Sequence, residues 1–160
     1  MRRLTIFFLL AAVGVGLAAT LEGEAYAVYD AGDALLGYID ENNRILDTEY
    51  EIRGYIQADC IKDDEYIILA YLEDGGDEKR IKNTSYRTEY YLEVDDDTAG
   101  ELTDRSFRVL ATWDSGEISD DDYDLLVTYE WDDPDTDKIE GLKGHQVIYY
   151  LLYFTDLLED

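Results

Sequence analysis

The chain has 160 residues, and 39 Asp and Glu against 13 Lys and Arg give it a formal charge of −26. That sign excludes nucleic acid, whose phosphates need a basic stripe to displace their counterions, and it repels anionic membrane surfaces. It does not impose disorder. With 2 Trp, 15 Tyr, 4 Phe and 46% hydrophobic residues there is enough apolar material for one packed core.

Met1-Arg2-Arg3 precedes an uncharged run from Leu4 to Ala19, the order of a secretory signal. Ala25-Tyr26-Ala27 is an A-x-A cut site that would leave Val28 as the first mature residue, and Gly16-Leu17-Ala18 is an earlier option. The alternative is an uncleaved anchor holding the chain to a membrane through residues 4–20. Glu22 and Glu24 close that run slightly short of the roughly 20 apolar residues of a span. The expected organisation is a hydrophobic leader helix over 1–27 and an acidic β domain over 28–160.

Past the leader the apolar residues recur with period two. Leu35–Ile39 and Arg44–Thr48 flank Asp40-Glu41-Asn42-Asn43 and predict a hairpin. Residues 50–60 alternate strictly, with Tyr50, Ile52, Gly54, Ile56, Ala58 and Cys60 on one face. Residues 65–73 are apolar on both faces, as in a central strand. In 87–94, Thr88, Tyr90, Leu92 and Val94 share a face. In 106–114 and 123–131, Phe107, Val109, Ala111, Trp113, Tyr123, Leu125, Val127, Tyr129 and Trp131 are expected in the core. Turn formers separate the runs: Asp74-Gly75-Gly76-Asp77, Asp95-Asp96-Asp97, Asp114-Ser115-Gly116 and Asp132-Asp133-Pro134-Asp135. This rhythm predicts an all-β fold, an antiparallel β-sandwich of the Ig-like or jelly-roll-like kind. Ile68-Leu69-Ala70 and Val109-Leu110-Ala111 echo each other too weakly to define a repeat.

The last segment contains Val147, Ile148, Tyr149, Tyr150, Leu151, Leu152, Tyr153 and Phe154 and is apolar on every face. Its β-branched and aromatic content favours a strand over a helix. Such a strand is either central in its own sheet or inserted into a neighbouring subunit as an assembly strand.

Groups for catalysis are scarce. His145 is the one histidine and Cys60 the one cysteine, so disulfides within the chain, thiolate clusters and histidine-rich zinc sites are excluded. No nucleophile elbow, phosphate loop or dinucleotide fingerprint occurs, and a non-enzyme is expected. Calcium is the one cofactor the composition supports, because it takes six to eight hard oxygens. Asp133, Asp135 and Asp137 sit at i, i+2 and i+4, but Lys138 replaces the glycine an EF-hand needs. A looser loop there, Asp95-Asp96-Asp97, and Asp120-Asp121-Asp122 with Asp124 are the other candidates, against a reading as solvated turns. Asn83-Thr84-Ser85 is a glycosylation acceptor if the chain is exported.

The negative charge is spread along the chain, with only 5 Lys against 8 Arg. It suits a solvent of high salt, where screening shortens the range of repulsion to roughly 3 Å at 1 M. The expectation is therefore a secreted, halophilic, non-enzymatic structural protein. It would be a subunit or surface component of a filament, cell coat or virion, with itself or other surface proteins as partners. The alternative is a secreted or membrane-tethered binding module for carbohydrate, peptide or calcium.

Overall fold

The computed structural model describes residues 25–76, 78–96, 98–131 and 143–158. Residues 1–24 of the expected leader and the Asp133, Asp135, Asp137 loop lie outside the described residues. The strands are β1 (Ala25–Asp30), β2 (Leu35–Asp40), β3 (Arg44–Leu46), β4 (Ile52–Ile56), β5 (Cys60–Asp63) and β6 (Ile68–Asp74). They continue as β7 (Glu78–Lys82), β8 (Thr88–Asp96), β9 (Ala99–Asp104), β10 (Val109–Asp114), β11 (Glu117–Asp120) and β12 (Leu125–Trp131), and one helix follows, α1 (Gly144–Phe154). Every strand pairs antiparallel with its neighbours in sequence, and β1 pairs with β12, Tyr26 opposite Trp131 and Val28 opposite Tyr129. The sheet is a closed 12-stranded barrel. The expected sandwich is wrong, because alternation marks a half-buried strand without saying whether the sheet splits into two layers or closes on itself.

Six of the hairpins are copies of one unit. Where an odd strand hands over to an even one, the chain reads Asp30, Asp47, Asp63, Asn83, Asp104 or Asp120, then three loop residues. The Oδ1 of that residue accepts the backbone N–H four positions on, at 2.8–3.1 Å in all six turns. The third loop residue stands at positive φ, between 60° and 66°: Asp33, Tyr50, Tyr66, Tyr86, Phe107 and Tyr123. This is the three-residue hairpin loop ending in a left-handed residue. A register shift follows in each copy and inserts one extra residue into the even strand: Leu36, Arg53, Leu69, Glu89, Leu110 or Leu126. Two residues before each turn stands an inward aliphatic, Val28, Ile45, Ile61, Ile81, Leu102 or Ile118, each at 0% exposure.

The turns of the other end vary. Ser115 and Gly116 form a two-residue link with φ of 50° and 99°, and Gly76 carries φ 91°. The expected strand over 50–60 is broken here, because Gln57 N–H donates to Cys60 O at 2.8 Å and turns β4 into β5.

Helix α1 occupies the lumen. With strands about 4.8 Å apart and tilted about 40°, twelve close at a backbone radius of roughly 12 Å. That space exceeds what the barrel's own side chains fill and suits a helix about 10 Å across. Val147, Ile148, Tyr149, Tyr150 and Leu151 are buried among inward residues of the strands. Residues 147–154 are thus helix rather than the expected strand. A helix apolar all round is one surrounded on all sides, and the enclosing wall overrides the β propensity of its Tyr, Ile and Val. Small inward residues make room. A Cβ on Gly54 would overlap the Phe154 ring, and one on Gly144 would overlap the Trp113 indole. Tyr26 Oη donates to Gln146 Oε1 at 2.6 Å, and Gln146 Nε2 donates to Asn43 Oδ1 at 2.7 Å, which sets the depth of the helix.

Ala25, Tyr26 and Ala27 belong to β1 and are buried. A cut after Ala27 would remove half of that strand and the Tyr26 tether.

Candidate functional site

Three features stand out: an aromatic belt outside the barrel and an open cavity at each mouth. The belt grows from the repeated turn. Left-handed backbone costs an ordinary side chain about 1–2 kcal/mol, yet five of the six positive-φ positions are aromatic. Four offset that cost by stacking on an outward tyrosine two strands back. Tyr50 lies on Tyr38, Tyr66 on Tyr55, Tyr86 on Tyr71 and Phe107 on Tyr91, with centroids 4.9, 4.6, 4.2 and 4.9 Å apart. Such pairs contribute about 0.5–1.5 kcal/mol beyond area. The Tyr38 and Tyr50 hydroxyls meet at 3.2 Å. Hydrogen bonding to Tyr66 holds the Tyr55 phenol above its usual pKa, and Tyr86 does the same for Tyr71.

Tyr66, Tyr86 and Phe107 keep an open side and are 60%, 65% and 68% exposed. Tyr123 is 81% exposed, with no stacked ring among the described residues and Thr112 where the four stacked hairpins have a tyrosine. Expected core positions Phe107 and Tyr123 are therefore loop residues on the surface. Leu125 is 39% exposed, whereas Trp113, Val127 and Tyr129 are buried inside as expected. On β6 and β7 the outer face is charged: Arg80 pairs with Glu73 at 3.4 Å and with Glu78 at 3.0 Å, and Lys82 also pairs with Glu73; around Tyr38 and Tyr50 it is apolar, with Ala25, Ala27 and Leu46 buried beside them. The Lys82 hydrogen bond keeps Glu73 below the usual carboxylate range.

At the repeated-turn end, the C-terminal part of α1 and the first three repeated hairpins enclose an open cavity of about 500 Å³. Leu36, Leu46, Leu69, Tyr150, Tyr153 and Phe154 form its walls, with Asp47, Arg53 and Asp63 at the rim. Burial and the Asp47 charge push the Tyr150 phenol up to about 12. Desolvation acts to raise Asp47, but N–H donors of Glu51 and Glu49 and the Arg53 guanidinium outweigh it and hold the carboxyl low. Arg53 pairs with Asp47 at 2.9 Å.

The opposite mouth holds a smaller cavity, about 330 Å³, where His145 sits edge-on to Tyr149 at 5.9 Å beside Asp74 and Lys79. Lys79 pairs with Asp74 at 3.5 Å. Cys60 pairs across the sheet with outward Tyr71, so the barrel wall separates it from His145. Its thiol approaches Gln57 Oε1 at 3.5 Å, and burial raises its pKa.

Other expected sites have structural employment. Asn83 heads a repeated turn: Oδ1 accepts from Ser85 and Arg87 N–H, and Nδ2 donates to Glu89 at 2.9 Å. Asp120 spends Oδ1 on the N–H groups of Asp122 and Asp124. Among the described residues no three His, Cys, Asp or Glu side chains gather as metal ligands, and no helix there is long and apolar enough to cross a membrane. The aromatic belt was missed from sequence, though its signal is present as [Asp/Asn]-x-x-[Tyr/Phe] starting at 47, 63, 83, 104 and 120. In comparisons with known proteins, no family model, no curated protein and no solved structure matches this chain.

Proposed function

We propose that the protein is a non-enzymatic structural component of an extracellular assembly, a filament, cell coat or virion, that works in high salt and docks on its neighbours through the aromatic belt. The observation that carries this is the recurrence of a stacked aromatic pair in four of the six repeated hairpins, three of them with an open ring face. Tyrosine suits surfaces that are apolar and wet by turns, and interfaces are enriched in it. Closure of β1 on β12 leaves no free edge in the sheet, so contacts through side-chain faces replace strand addition. Six hairpins around one axis turn successive pairs by roughly 60°, and the rings therefore address several neighbours instead of one flat partner. The charge of −26 suits a setting where salt screens repulsion between packed copies.

Sedimentation of the wild type and of a Tyr66→Ser, Tyr86→Ser double variant in molar NaCl tests this. Salt-dependent association of the wild type, lost in the double variant at unchanged near-ultraviolet dichroism, is expected. A wild type that stays monomeric at every salt concentration and adsorbs to no surface layer of its source overturns the reading.

A further inference from the structure

The repeated-turn mouth has a feature that docking through the belt does not use. Its cavity, about 500 Å³, is within the size range of small-ligand sites. Leu36, Leu69 and Phe154 supply apolar wall, while Asp47 and Asp63 stand at the rim. Arg53, the one cation at that rim among the described residues, is already tied to Asp47 at 2.9 Å. The carbonyl end of α1 points the same way, and its last turn carries no basic residue. A helix C-terminus bears about half a negative charge. Stem-sized apolar space beneath uncompensated negative charge is complementary to an apolar chain ending in a cation and hostile to one ending in a carboxylate.

We infer that this cavity binds an aliphatic ammonium group, its stem against Leu36, Leu69 and Phe154 and its head at Asp63. A free amine and a lysine side chain of a partner share this chemistry, and the probes below distinguish the two sources.

The full-length folded chain is titrated with hexylammonium, hexanol and hexanoate, and with N-acetyl-lysine methylamide as the peptide-borne form, following amide and methyl NMR shifts. The expected order is ammonium, then alcohol, with no binding of the carboxylate, and shifts centred on Leu36, Leu69 and Phe154. Asp63→Asn should weaken hexylammonium about tenfold and leave hexanol unchanged. Asn83 already serves the same turn in another hairpin, so this change keeps the fold. Asp120→Asn removes the same charge from the equivalent position three hairpins away and should leave binding intact. Leu69→Phe fills the cavity and should abolish binding of both stems. Binding of the lysine derivative extends the site to proteins, and binding of hexylammonium alone restricts it to free amines. The inference is overturned if hexanoate binds as tightly as hexylammonium, if Asp120→Asn weakens binding as much as Asp63→Asn, if Leu69→Phe still binds, or if neither ammonium probe binds.

Discussion

The two ends of the barrel are built in different ways. At one end six turns repeat the same chemistry: a side-chain oxygen capping two backbone donors (one at Asp63), a left-handed residue, and a bulge that usually drops a leucine toward the lumen. At the other end the turns differ; among the described residues Asp40 alone there repeats the full cap, accepting Asn42 and Arg44 N–H at 3.0 and 2.8 Å, while of backbone donors Asp74 accepts only Gly76 N–H. There Asn43 takes the left-handed position and reaches Gln146 on the helix. The regular end owes its form to contacts within about ten residues of sequence. The irregular end owes its form to where α1 enters. A regular scaffold can present rings at one level on five of its six hairpins, and an irregular one cannot.

Deleting residues 146–160 removes what both ends share and should abolish the native near-ultraviolet dichroism altogether. Survival of a folded barrel that only fails to associate would show that the wall stands without the helix.

High pH should come next in effect. Burial raises Tyr129 at the irregular end and Tyr150 at the regular one to about 12, and raises Tyr149 and Tyr153 as well. The folded pKa lies above the unfolded value of about 10. The stability these phenols supply is therefore whole below about pH 10 and is lost as pH climbs through about 12. Tyrosinate absorbance should appear in two waves, exposed rings first and buried rings together with unfolding.

Asp40→Ala should cost about 3 kcal/mol in denaturant unfolding. The carboxylate is 1% exposed and paired with Arg44 at 2.6 Å, and its loss strands a charge and two donors. Asp104→Ala at the regular end, where the pair with Arg108 is exposed and 3.6 Å long, should cost only the cap, about 1 kcal/mol. Equal losses would erase the distinction between the ends.

The smallest effect separates two copies of the same turn. Tyr66→Asn should destabilise by about 1 kcal/mol, since it removes a stacked ring. Tyr123→Asn should stabilise by up to about 1 kcal/mol, because asparagine tolerates the left-handed region and no stacking is lost. If both changes destabilise equally, Tyr123 has a contact that stacking geometry does not reveal.

Much of the wall could be read from sequence and little of its closure. The β2–β3 hairpin, the inward face of β8, and Ala111, Trp113, Val127, Tyr129 and Trp131 follow from alternation alone, because alternation is a property of each strand. Phe107 and Tyr123 sit in phase with those core residues, yet a bulge between them and the strand resets the phase. Pairing of β1 with β12 spans the whole domain and leaves no local mark. The helix misled for a related reason: composition around Tyr149 and Tyr150 reports burial on all sides, which a central strand and a lumen helix share. The belt required comparison of turns with one another, and their unequal spacing hid the likeness.

Nothing in a repeated hairpin says how many copies to string together. Each closes its own turn and would pair as well with a seventh neighbour as with a sixth. The count is set from inside. Gly37 and Gly54 leave just enough depth for Tyr150 and Phe154, and Gln146 bonds at once to Tyr26 on the first strand and Asn43 beyond the second. Helix α1 thus acts as a gauge: ten strands would crush it, and fourteen would leave it loose. Its girth fixes the strand number, and with it the angle at which the rings outside face the world.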